Sequence, residues 1–172
     1  TDLMSMEVGR NCPLCRAKTP TSDEEMIKQL RPWVKKKKAW AQEMMGEMYR
    51  DGTGVKQSYE MAIILFGQAA EQGQLTSMYD LGLMYCKGQG VEQSYERAKE
   101  YYEQAAQLEY VKAQYNLGVM YEHGEGVEQS YTKAREFYEL AADQSDPDAL
   151  GNLGGLYANG FGVQQDFTKA RE

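Results

Sequence analysis

Only a few residues in this chain are of types that do chemistry, and their spacing decides what chemistry is open to them. Cys12 and Cys15 flank Pro13 and Leu14 in a C-P-x-C-R knuckle. Two thiolates so placed can grip one zinc ion from a single side, with Zn–S near about 2.3 Å, but a structural zinc needs four ligands. The third cysteine is Cys86 and the single histidine is His123. Both lie in stretches with a helical pattern, so neither can join the knuckle without dismantling a helix. His123 stands one residue before Gly124 and reads as a favourable group at a helix C-terminus. No Ser, Cys or Asp is placed by a motif to form a nucleophilic set with it. Gly-x-Gly occurs at Gly52/Gly54, Gly88/Gly90, Gly124/Gly126 and Gly160/Gly162, each time followed by Val-x-Gln. With no strand before and no third glycine after, these are interhelical turns and not phosphate cradles. No catalytic residue and no cofactor is expected in this chain.

The elements that carry these residues are repeats. Tyr49, Tyr85, Tyr121 and Tyr157 are 36 residues apart, as are Gly46, Gly82, Gly118 and Gly154, and Gln57, Gln93, Gln129 and Gln165. Self-similarity at such a period marks an array of units that bury their apolar faces only by stacking. At about 100° per residue, Ala113, Gln114, Gly118, Met120 and Tyr121 fall on one stripe with Leu117. A glycine inside a helix costs about 1 kcal/mol against alanine, so its fourfold return predicts close helix–helix approach. Gly124 is expected to stop the first helix as a left-handed cap, with Val127 pinning the turn to the core. Ser22, Ser58, Ser94 and Ser130, and Asp166 in the last repeat, then cap second helices. Their inward faces read Ala62, Phe66, Ala69, Ala70; Ala98, Tyr102, Ala105, Ala106; and Ala134, Tyr138, Ala141, Ala142. Alternating aromatics with alanines lets two helices interlock at short range. Met48, Met84 and Met120 are core filling and not metal ligands.

The pattern A-x-x-x-L-G-x-x-Y-x-x-G-x-G-V-x-Q, then A-x-x-x-Y-x-x-A-A, resembles the Sel-1-like repeat, a relative of the tetratricopeptide repeat. It covers residues 39–172. The resemblance implies an all-α, right-handed α-solenoid of helix-turn-helix units that acts as a non-catalytic adaptor for other proteins. Cys12-Pro13-Leu14-Cys15-Arg16 in turn looks like the last cysteine pair of a RING-type zinc finger, which recruits E2 enzymes in ubiquitin ligases. That resemblance implies zinc on Cys12 and Cys15 only where further ligands exist upstream, in a longer parent protein. The solenoid would then be the substrate-recruiting part of a ligase. A free dithiol, or a redox pair without a thioredoxin-like context, are the other readings of the knuckle.

Composition narrows the partners. The net charge of −7 is uneven: residues 1–38 carry nine Lys/Arg against five Asp/Glu, and residues 39–172 carry ten against 21. An acidic array of net −11 disfavours nucleic acid, whose phosphates demand a basic surface. Polypeptides with apolar and basic residues fit better. No apolar run is long enough for a membrane span, and no secretory signal precedes the first repeat. Three cysteines make no disulfide framework, which points to a reducing, cytoplasmic setting.

Residues 1–21 form a stub and linker, residues 22–38 a capping helix, and the repeats occupy about 39–73, 74–109, 110–145 and 146–172. Ser22 lies one period before Ser58, so the capping helix takes the slot of a second helix, with Met26, Ile27, Leu30, Trp33 and Val34 covering the first hairpin. Pro32 should kink or end it nearby. Lys35–Lys38 reads as a solvated helix end favoured by the dipole, with a nuclear-import or phosphate-binding patch as the alternative. The fourth repeat, cut off within its second helix and carrying Gly151, Gly154 and Gly155, is expected to be the least stable, and both ends read as breaks in a longer protein.

The same helical arithmetic marks a binding face. Tyr115 and Val119 lie about 160° and 200° from Leu117, and Tyr79 and Leu83 repeat them one unit earlier. In a tetratricopeptide-like array these four would line an apolar strip along a concave groove, continued with charge by Glu43 and Glu47 and left blank by Gly151 and Gly155. The alternative is that they pack on a neighbouring repeat or scatter on the surface.

Overall fold

The computed structural model describes residues 22–171; Cys12 and Cys15 lie outside that range. Eight α-helices account for the described residues, with no strand among them. They are α1 (Asp23–Lys35), α2 (Ala39–Asp51), α3 (Tyr59–Ala70), α4 (Leu75–Lys87), α5 (Tyr95–Gln107), α6 (Val111–His123), α7 (Tyr131–Ala142) and α8 (Pro147–Asn159), followed by a 3-10 turn at Lys169–Arg171. The chain is an all-α helical-repeat array that divides into two compact units, one through Gln72 and one from Gly73.

Each hairpin is closed by the same chemistry. Gly52, Gly88, Gly124 and Gly160 sit at φ of 63–74° and cap the first helices in the left-handed conformation. The Gln of Val-x-Gln then reaches back across the turn. Gln57, Gln93, Gln129 and Gln165 each donate from Nε2 at 2.7 Å to a carbonyl near the end of that helix, those of Arg50, Cys86, Glu122 and Ala158. These bonds satisfy carbonyls that a helix end leaves without an internal partner. Ser58, Ser94 and Ser130 accept from the amides of Met61, Arg97 and Lys133 and start the second helices. Ser22 does the same for α1.

The first unit is built from α1, α2 and α3. Ile27, Leu30, Ala41, Met45, Met48 and Leu65 form one buried cluster, so α1 fills a second-helix slot as its serine register predicts. Gly54 explains the second glycine of the loop. A Cβ there would stand 2.6 Å from the Asp23 side chain and 2.8 Å from Ile27, so the loop lies directly on the start of α1. Pro32 is accommodated inside α1, which runs on to Lys35. Its missing amide proton would have bonded the carbonyl of Lys28, an exposed residue, and water can replace that one donor.

The second unit pairs α4 with α5 and α6 with α7, and places α8 on α7. Gly126 and Gly162 lie on the starts of α5 and α7, where a Cβ would meet backbone of Tyr95 and Tyr131 at 2.7 Å. Within this unit, α5 and α7 are therefore each touched by the following repeat's loop. Tyr102, Ala105, Tyr138 and Ala141 are fully buried, whereas Ala106 and Ala142, expected to face inward, are only half-buried. Among the described residues the fourth repeat has no α-helix after Asp166, only the 3-10 turn, and Asp166 Oδ1 accepts from the amides of Thr168 and Lys169 at its start.

One strain recurs where a second helix or its equivalent ends. Lys37, Gly73, Glu109 and Ser145, each 36 residues from the next, all have positive φ, at 54°, 87°, 61° and 66°. Only one of the four is the residue that adopts this conformation freely. A side chain there costs about 1–2 kcal/mol, while glycine's extra freedom in the unfolded chain returns about 0.5–1 kcal/mol of that. Glu109→Gly is therefore expected to raise the stability by about 0.5–1 kcal/mol, measured by urea unfolding. A loss would mean that the left-handed turn is not kept in solution.

Candidate partner-binding face

The first helices of the second unit carry the predicted strip, and the tyrosines prove to have two sides. Helical arithmetic puts Tyr79 and Tyr115 opposite the core stripe, yet both are half-buried. The Tyr79 ring lies 5.8 Å from Tyr102 and 5.5 Å from Tyr110. The Tyr115 ring lies 5.8 Å from Tyr138. A wheel drawn for one helix omits the neighbours that flank it, and here the second-helix tyrosine of the same repeat reaches under the strip. Leu83 and Val119 stand one turn on, also half-buried, and Val119 packs partly against the cluster around Tyr138. Glu43 and Glu47 belong to α2 of the first unit, half-buried and exposed respectively.

Asparagines that the sequence reading did not single out hold this arrangement. Asn152 Nδ2 donates to the Tyr138 hydroxyl at 3.0 Å and approaches the Tyr115 hydroxyl at 3.5 Å. Asn116, one period earlier, serves Tyr79 and Tyr102 in the same way. Tyr138 in turn donates to Glu122 Oε2 at 2.6 Å. At the position equivalent to Glu122 stands Cys86, and Tyr102 donates to its sulfur at 3.8 Å. The signal was present in the recurring Asn-Leu-Gly of residues 116–118 and 152–154.

Burial pushes the hydroxyls of Tyr79, Tyr102, Tyr115 and Tyr138 up from the ordinary phenol value, so they stay protonated as hydrogen-bond donors. Burial likewise raises the Cys86 thiol, which is free; a less ionised thiol is a poorer nucleophile. His123 is exposed at the end of α6. Among the described residues no three His, Cys, Asp or Glu side chains converge as a metal site. No described helix is long and apolar enough to cross a membrane.

Stacked two-helix units with capped Gly-x-Gly turns define a helical-repeat protein. The chain belongs to the Sel1 repeat family: the family model matches residues 41–74, 75–110, 111–146 and 147–172. Proteins of this family generally mediate protein–protein interaction and are generally non-catalytic scaffolds. Among solved structures, a protective antigen of uropathogenic Escherichia coli displaying an SLR fold is similar at 36% identity and a TM-score of 0.82, covering 84% of this chain and 31% of its own. A Sel1 repeat protein from Oxalobacter formigenes is similar at 31% identity and 0.81, covering 92% and 62%. Helicobacter pylori cysteine rich protein B follows at 25% and 0.57, covering 74% and 96%. The chain thus spans less than two thirds of the first two structures. No curated protein matches it.

Proposed function

We propose that the chain is a non-catalytic adaptor whose second unit holds a polypeptide partner on the first-helix face formed by Tyr79, Leu83, Tyr115 and Val119. The observation that carries this reading is the pairing. In two successive repeats an aromatic and an aliphatic side chain stand one turn apart, partly open to solvent, with the ring held by a second tyrosine and an asparagine. A ring already fixed in place loses little entropy on binding, which makes it a good anchor. The excess of carboxylates over residues 39–172 favours partners with basic flanks.

Because the tyrosines also pack inward, the aliphatic members give the cleaner test. Leu83→Ser combined with Val119→Ser is expected to leave the fold intact by circular dichroism. It should weaken binding of a fluorescein-labelled peptide with two leucines flanked by arginines by about tenfold. Unchanged affinity would remove this face from the proposal.

The ligase alternative rests on Cys12 and Cys15. Zinc measured in the dialysed chain by plasma emission is expected to be well below one ion per monomer, since two thiolates are half of a structural set. One tightly held ion per monomer would show that the knuckle completes a site.

A further inference from the structure

The outer face of the first unit differs in kind from its equivalents in the two repeats that follow. Met61 and Ile64 of α3 are 39% and 51% exposed. Their equivalents are Arg97 and Glu100 on α5, and Lys133 and Glu136 on α7. Gly67, at the next turn, has nothing within 4 Å of where a Cβ would stand, and its equivalents are Glu103 and Glu139. One second helix has exchanged a charged outer face for an open apolar one.

The helix one period earlier, α1, carries a basic row on its exposed side. Lys28, Arg31 and Lys35 of α1 are spaced i, i+3, i+7, which puts them on one helix face, and all are exposed. The exposed Lys36, Lys37 and Lys38 continue the charge past the helix end. Helices α1 and α3 share a core, since Leu65 is buried in the cluster of Ile27 and Leu30. Their outer faces are also in register: Lys28 is one period before Ile64, and Arg31 one period before Gly67. The carboxylates collect at the other end, with Asp23, Glu24 and Glu25 in the first turn of α1 and Glu60 in the first turn of α3. Glu71 alone stands at the far end of α3, where its backbone N–H donates to the carbonyls of Gly67 and Ala69.

We infer that this face docks an acidic, amphipathic peptide segment of another protein, with its apolar side chains on Met61, Ile64 and Gly67 and its carboxylates on Lys28, Arg31 and Lys35. Apolar anchors give such a complex its affinity and the basic row gives it register. An anionic bilayer suits the surface less well, because Asp23, Glu24 and Glu25 would meet its headgroups. The charge sought is opposite to that favoured by the strip on the second unit, so the two sites are separable.

The probe is a fluorescein-labelled helical peptide of about 18 residues with leucines on one face and glutamates beside them, titrated with the full chain and followed by anisotropy. The control peptide carries lysines in place of the glutamates. The acidic peptide should bind about tenfold more tightly than the control and lose affinity as salt is raised. Ile64→Glu and Arg31→Glu should each weaken it by about tenfold with an unchanged thermal midpoint; glutamate already stands at the positions equivalent to Ile64 on α5 and α7. Equal binding of the lysine peptide would overturn the inference. So would affinity untouched by both substitutions, or retention of the protein by phosphatidylserine vesicles but not by the acidic peptide.

Discussion

Tyr138→Ala is expected to lower the stability by about 3–5 kcal/mol, the cost of emptying a fully buried aromatic site. The ring is 0% exposed, shares a cluster with Tyr121, Ala134, Ala141, Ala149 and Leu156, and so touches residues of α6, α7 and α8. Its hydroxyl adds to the loss. Without it Glu122 keeps no acceptor role toward Tyr138, and Asn152 gives up its shorter hydrogen bond; a half-buried polar group left unpaired costs about 1–3 kcal/mol. Tyr138→Phe separates the two contributions and should cost about 1–2 kcal/mol. Both are read from urea denaturation. If Tyr138→Ala cost below about 1 kcal/mol, the ring would not be the keystone of its repeat.

Gly118→Ala and Gly151→Ala should move stability in opposite directions, although both replace a glycine inside a first helix with the best helix former. A Cβ on Gly118 would stand 2.5 Å from Cδ1 and Cε1 of Tyr138. That ring is fully buried and has nowhere to go, so the gain of about 1 kcal/mol in helix propensity is outweighed by overpacking, for a net loss of about 1–3 kcal/mol. Gly151 meets nothing within 4 Å, so the same change there should stabilise by about 0.5–1 kcal/mol. Chemical denaturation of the two variants measures both; a loss at Gly151 as large as that at Gly118 would attribute the effect to the helix and not to the ring.

These two sites also show what could be read from the residues alone. The 36-residue period, the glycine notches and the serine caps were legible because each rests on a steric rule with few exceptions. Gly46 faces Phe66, Gly82 faces Tyr102 and Gly118 faces Tyr138, with 2.8 Å or less to a built Cβ in every case. Polar pairing was not legible. Gln42 is 1% exposed and accepts from Gln72 at 2.6 Å, and two periods on Gln114 is 3% exposed and accepts from Gln144 at 2.9 Å. A glutamine gives no sign in sequence of whether water or another amide satisfies it. Positive φ at Glu109 and Ser145 was equally hidden, since only glycine advertises that conformation. The candidate strip was half legible: the spacing of Tyr79, Leu83, Tyr115 and Val119 named the residues, while their burial depended on the tyrosines of α5 and α7.

The most direct test of the glycine–aromatic interlock is a double-mutant cycle between Gly118→Ala and Tyr138→Leu, with unfolding free energies taken from urea melts. Once the ring is gone, the alanine should cease to destabilise and should show its helix propensity, giving a coupling of about 1–3 kcal/mol. Additivity within about 0.5 kcal/mol would contradict the account, because the two residues would then not be meeting.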